Sequence, residues 1–263
     1  MGNHLILIFT IIVGFSMHQM SYSQEKNQSP PHDYEKLLTN YWNFWINLSE
    51  EEESNSKCLM HFDSQNSVLF LLNPYDFPDT TYNCKTTPIP KNSTIFFPII
   101  SGWCTNGDPG LRHANILQLA ECAYNADRGL IIGKVYVDGN QIVNFQKIND
   151  DKKGIVKTKF LDNKTMTNIV HDQGPYKELI VKNLVDITIT NKTQYEFDND
   201  EEFKNQPVTY KGYLHCECII IDASKLKKGD HTISYQTKAN AGDSSIGSGW
   251  NYENSITYQL SIE

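Results

Sequence analysis

The densest cluster of reactive side chains in the sequence is His215-Cys216-Glu217-Cys218. An imidazole, two thiolates and a carboxylate are ligands that copper or zinc accepts. An extended chain, however, sends alternate side chains to opposite faces. Leu214, Cys216, Cys218 and Ile220 then share one face, and His215 and Glu217 take the other. His215 would join the sulfurs only across a bulge. A bond between the two cysteines meets an obstacle too, because same-face neighbours on a regular strand stand about 6.5 Å apart, whereas bridged Cβ atoms lie within about 4.5 Å. Three readings stand: two free thiols packed as small buried hydrophobes, which the geometry favours; a metal site on Cys216, Cys218 and His215; or a bond from one of them to another cysteine.

His171-Asp172 and His61-x-Asp63 are each half of an acid–base pair, but no nucleophile elbow and no H-E-x-x-H accompany them. Gly247-Ser248-Gly249 lacks the strand–turn–helix setting that an activated serine needs. Asp198-Asn199-Asp200-Glu201-Glu202 has neither the Gly at the sixth position nor the Glu at the twelfth of a calcium loop, and reads as a solvated acidic turn. No catalytic residue and no cofactor is assigned.

Six cysteines, at 58, 84, 104, 122, 216 and 218, make an even number. In an exported chain that argues for a disulfide framework, although six allow fifteen pairings. Local order suggests Cys58–Cys84 and Cys104–Cys122. Export itself is read from Leu5 to Phe15, an apolar run of eleven residues. It is too short for a membrane span of roughly 20 residues and fits the core of a signal peptide. Ser21 and Ser23 supply the small residues of a cleavage site, so the mature chain is expected to begin at Gln24, with no transmembrane segment after cleavage. Retention of the run as an anchor is the alternative.

These residues need elements to hold them. A polar lead-in over 24–33 precedes Tyr34 to Leu48, where Leu38, Tyr41, Trp42 and Trp45 recur at helical spacing; an aromatic stripe of this kind is core before it is a binding face. A second helix is expected over Arg112 to Ala126. Val68 to Leu72 and Ile95 to Ile100 are short apolar runs suited to buried strands. Val135-Tyr136-Val137 runs into the hairpin signal Asp138-Gly139. Further strands are expected at 155–161, 179–182, 184–190 and 208–221. His231, Ile233 and Tyr235, and then Ile256, Tyr258, Leu260 and Ile262, alternate with polar residues, as strands with one dry face do. A Gly/Ser-rich loop over 239–250 lies between them. The expected fold is mostly β, an antiparallel sandwich or jelly roll with two short helices in its N-terminal half, one domain over 34–263.

The net charge of −8 and the pI near 5.5 argue against nucleic acid or an anionic membrane as the main partner, since both need clustered cations. Only Arg112 and Arg128 could offer guanidinium forks to a phosphate. Five N-x-S/T sequons, at Asn27, Asn47, Asn92, Asn163 and Asn191, are candidate glycosylation sites on an exported surface.

Several features recur in one order: Trp42-x-x-Trp45, Cys84, Ile95-Phe96-Phe97-Pro98-Ile99-Ile100, Cys104, Glu121-Cys122-Ala123, Val137-Asp138-Gly139, Gly212-Tyr213, Gly229-x-His231-Thr232-Ile233 and Thr257-Tyr258-x-Leu260. This order resembles a family of uncharacterised exported proteins of ammonia-oxidising archaea and scattered bacteria. Residues 145–207 and Leu69 to Pro74 depart from that pattern. The resemblance implies export, four cysteines in two local pairs and a sandwich-like C-terminal half; the family has no assigned activity, so it carries no catalytic residues over. The leading expectation is a non-enzymatic secreted or cell-envelope protein with a binding or structural role, and with other envelope proteins or glycans as partners. The alternatives are an extracytoplasmic metal protein using Cys216 and Cys218, and a hydrolase around His171 or the 239–250 loop.

Overall fold

Asp33 fixes where the first helix starts: its carboxylate accepts from Lys36 N–H at 3.0 Å, satisfying a donor that the helix leaves unpaired. In the computed structural model of the chain, helix α1 spans Tyr34–Trp45 and buries Leu37, Leu38, Tyr41, Trp42 and Trp45, the aromatic stripe expected from the spacing. The structure describes residues 33–48, 58–71, 81–86, 88–108, 110–127, 130–146, 169–173, 175–181, 183–190, 207–241 and 250–263. The expected leader, the expected lead-in before Asp33, and the strand expected at 155–161 lie outside them.

Twelve strands and a second helix follow within the described residues. In chain order they are β1 (Met60–Asp63), β2 (Val68–Leu71), β3 (Thr81–Lys85), β4 (Thr94–Thr105), helix α2 (Ile116–Asp127), β5 (Leu130–Val137) and β6 (Asn140–Gln146). Then come β7 (Ile169–Gln173), β8 (Tyr176–Ile180), β9 (Val185–Ile189), β10 (Val208–Asp222), β11 (Gly229–Ala241) and β12 (Trp250–Ile262). The fold is mostly β with both helices in the N-terminal half. A seven-stranded sheet runs β1-β2-β4-β10-β8-β7, with β9 also paired to β10, and a five-stranded sheet runs β3-β12-β11-β5-β6. Antiparallel pairing dominates, but each sheet is mixed. β2 pairs with β4 in parallel, and β12 with β3.

Two apolar cores explain why the central strands read as unbroken apolar runs. Val68 and Phe70 of β2, and Phe96 of β4, join the core that includes both helices, whereas Leu69, Leu71, Ile95 and Phe97 join a second core shared with Val135, Ile233, Tyr235, Ile256 and Tyr258 of the five-stranded sheet. A strand covered on both faces has no polar side to show. β11 and β12 have one covered face only, and there the alternation survives: Ile233, Tyr235, Ile256, Tyr258 and Leu260 are buried, while Gln236 and Gln259 are exposed. The ends of these two strands reach further than the alternation suggests, to the pair Ala241–Trp250.

The helices are fixed by side-chain bonds as well as by burial. Trp42 donates its indole N–H to the Ser101 hydroxyl of β4 at 2.9 Å. Asn43 and Asn47, one turn apart on the same face, lie along β9. Asn43 accepts from Thr188 N–H and donates to Asp186 O, while Asn47 accepts from Thr190 N–H and donates to Thr188 O. Two asparagines thus act as a strand would, covering the edge of β9 that β10 does not reach. Helix α2 begins at Ile116, later than Arg112, because Asn115 and Gln118 form a capping box. The Asn115 carboxamide oxygen accepts from Leu117 and Gln118 N–H, and Asn115 N–H donates to the Gln118 side chain.

Candidate functional site

Pro98 shapes the surroundings of the Cys-x-Cys segment. It sits in β4, an interior strand, where it offers no N–H to the ladder. The register of β4 against β10 shifts there: Ile100 faces Glu217 but Pro98 faces Cys218, and Ile99 is the extra residue of a bulge. Next to this bulge the Cα atoms of Cys216 and Cys218 stand 5.5 Å apart and their sulfurs are paired. The expectation of two free thiols is therefore corrected: the two sulfurs lie at bonding distance although their strand runs in unbroken register against β8. Their placement follows the strand parity all the same. Both are fully buried with Leu214 and Ile220 in the core that contains the helices.

His215 is buried as well. Its ring packs edge-on against Tyr124 of α2 at 5.0 Å, whereas Cys216 pairs across the ladder with Ser101, the acceptor for Trp42. Glu217, also buried, accepts from the hydroxyl of Tyr176 on β8. No group of three or more His, Cys, Asp or Glu side chains among the described residues is placed to hold a metal ion, so His215, Cys216 and Cys218 do not form the metal set that the sequence offered.

The other two bridges are those that local order suggests. Cys58–Cys84 links the segment just before β1 to β3, and so ties the two sheets together. Cys104–Cys122 ties β4 to α2.

The remaining sequence candidates fall apart or outside. His61 stacks on Phe44 at 4.2 Å. Asp63 caps the β1–β2 hairpin, accepting from Gln65 and Asn66. Partial burial pushes its carboxyl up, but the bonds from Asn66 and Gln65 outweigh this and hold it below the ordinary range. His171 and Asp172 lie on β7, opposite Glu178 and Lys177 of β8. The serine loop at 247–249 and the acidic turn at 198–202 lie outside the described residues, as do the sequons at Asn27, Asn163 and Asn191. Asn92 is exposed in the turn after Pro90. Asn47 is engaged, its amide nitrogen donating to both Asn43 O and Thr188 O.

A site that no local motif signals lies at one end of the five-stranded sheet. Asp138 and Gly139 form the β5–β6 turn, both with positive φ (51° and 75°), the geometry that an Asp-Gly hairpin favours. The turn brings Asp138 to the entry of β11. Its carboxylate meets His231 Nδ1 at 2.7 Å and accepts from Thr232 N–H at 2.8 Å. His231 Nε2 lies 2.6 Å from the carbonyl of Lys227. With Lys85, Thr86, Asp230 and Ser261 these residues line a cleft of about 260 Å³. The bond to Asp138 and then the Lys227 carbonyl push His231 up, against a smaller opposing effect of burial. For Asp138, burial pushes the carboxyl up, but the bonds from His231 and Thr232 outweigh it and lower it.

Chemically this pair is a brace. A general base must present a ring nitrogen to its substrate, and both nitrogens of His231 already face acceptors inside the fold. Val137-Asp138-Gly139 and Gly229-x-His231-Thr232 are each visible as turn signals in the sequence, but nothing local indicates that they meet, because the partners lie 93 residues apart.

No family model matches the chain, and neither a curated protein nor a solved structure matches it. No helix among the described residues is long and apolar enough to cross a membrane.

Proposed function

We propose that the chain is an exported, non-enzymatic β-sandwich protein of the cell surface or envelope, with a binding or structural role. The observation that carries this reading is the state of the cysteines: all six are paired, and two of the bridges fasten separate elements of the fold. Such bridges persist in oxidising compartments and are rare where cellular thiols are kept reduced. The apolar run Leu5 to Phe15 supplies the export route, and the resemblance to exported archaeal and bacterial proteins points the same way. A non-enzymatic role is supported by the best-placed His–Asp pair, which is consumed by internal bonds. Other envelope proteins or glycans are the partners that fit an acidic extracytoplasmic surface.

The test is fractionation of cells producing the full chain, with intact-mass analysis in the presence of a thiol-trapping reagent. The reading expects protein outside the cytoplasmic membrane, beginning at Gln24 and carrying no trapped thiol. A cytoplasmic, fully alkylated chain that keeps its leader would overturn it. Crosslinking in the envelope fraction then separates a binding from a purely structural role.

A further inference from the structure

We propose that His231, held between Asp138 and the Lys227 carbonyl, is a pH-sensitive clamp that makes both contacts when protonated and gives up one of them when neutral, loosening the β5–β6 turn against the entry of β11. The geometry carries this. Both ring nitrogens lie within hydrogen-bond distance of oxygen atoms, 2.7 Å from Asp138 Oδ2 and 2.6 Å from Lys227 O. Neither a carboxylate nor a carbonyl can donate, so both nitrogens must carry hydrogen for both contacts to be attractive. Only the imidazolium has two N–H groups. On losing one proton, the ring turns a lone pair toward one of the two oxygens, and that contact becomes repulsive.

The surroundings favour the charged ring. Asp138 on the β5–β6 turn and Asp230 on β11 are the acidic neighbours; Lys85 at the end of β3 is the basic one across the cleft, and Lys227 contributes its carbonyl. β12 faces the cleft with Gln259, Leu260 and Ser261, which do not titrate. His231 is raised above its ordinary 6.5. The clamp's contribution is therefore complete below pH 6.5 and is lost as pH rises through the raised folded value. Asp138 is lowered from 3.8, so its share is present above that pH and is lost only as pH falls through the lowered value. The clamp is closed between the lowered value of Asp138 and the raised value of His231, and opens as pH rises through the latter. Because Asp138, His231 and Thr232 wall the cleft, opening changes its shape without unfolding either sheet.

The test is an NMR titration of the histidine rings in the mature chain, combined with exchange protection of the Thr232 amide after correction for intrinsic base catalysis. His231 is expected to titrate above 6.5, and Thr232 protection to fall through the same midpoint. In Asp138→Asn, which retains a residue tolerant of the positive φ, the His231 midpoint should return toward 6.5. His231→Gln should lose that fall in protection altogether. Should that variant fail to fold, the Asp138→Asn titration decides alone. A His231 midpoint at or below 6.5, or one unmoved by Asp138→Asn, overturns the proposal.

Discussion

The indole N–H of Trp42 donates to the Ser101 hydroxyl at 2.9 Å, and that hydroxyl donates in turn to the carbonyl of His215 at 3.1 Å. One buried polar chain therefore crosses from α1 through β4 to β10, between residues 59 and 114 positions apart. Ser101→Ala removes the acceptor and leaves a buried indole N–H unsatisfied, which costs about 1–3 kcal/mol. Urea denaturation measures this as a lower midpoint with an unchanged slope. An unchanged midpoint would mean that the bond does not hold α1 to the sheet.

Asn43 and Asn47 should be as important to β9 as a neighbouring strand. Asn47→Ala removes bonds to Thr190 N–H and Thr188 O and is expected to cost about 1–2 kcal/mol. Its distinguishing mark is local: the Thr190 amide, which donates to Asn47, should lose hydrogen-exchange protection, while β11 and β12 keep theirs. Asn47→Asp tests the polarity of the pair, since the oxygen that accepts from Thr190 survives and the nitrogen that donates to Thr188 O does not.

The parts of the fold legible in the sequence are those set by nearest neighbours and burial. The stripe Leu38, Tyr41, Trp42, Trp45 gives α1 directly, and the alternation from His231 and from Ile256 gives the β11–β12 hairpin. The apolar runs of β2 and β4 mark them as covered on both faces, yet not as parallel partners, because a two-strand register between separate segments leaves no local trace. The capping box Asn115–Gln118 was available as a local signal and sets the helix start better than the apolar spacing does. Pro98 was equally visible. A proline in an interior strand implies a bulge, and β4 carries one at Ile99; the pairing of Cys216 with Cys218 on β10 had no such signal. The turns that carry Asp138 and His231 were visible, but nothing local showed that they meet across 93 residues.

Helix α2 depends on its cap. Asn115→Ala removes the acceptor for Leu117 and Gln118 N–H and is expected to cost about 1 kcal/mol. Thermal unfolding monitored by circular dichroism would show it, and Asn115→Ser or Asn115→Asp should restore most of the loss. Equal losses in all three variants would mean that the cap is not formed.

Two of the bridges, Cys104–Cys122 and Cys216–Cys218, should differ in what they contribute. Replacing Cys104 and Cys122 with Ser opens a loop with a sequence separation of 18, which corresponds to about 3 kcal/mol in the chain-entropy view. Replacing Cys216 and Cys218, separated by only two positions, releases almost no chain and loses chiefly packing, about 1–2 kcal/mol. Denaturant titration of the two double variants should give that order. The reverse order would mean that the short bridge is the main staple.

Peptide mapping of the protein from its native source under non-reducing conditions, with free thiols trapped at lysis, tests the central claim most directly. A disulfide-stapled extracytoplasmic sandwich predicts three linkages, Cys58–Cys84, Cys104–Cys122 and Cys216–Cys218, with no trapped thiol. A crossed linkage such as Cys58–Cys104, or trapped thiols at Cys58, Cys84, Cys104 and Cys122, would contradict it.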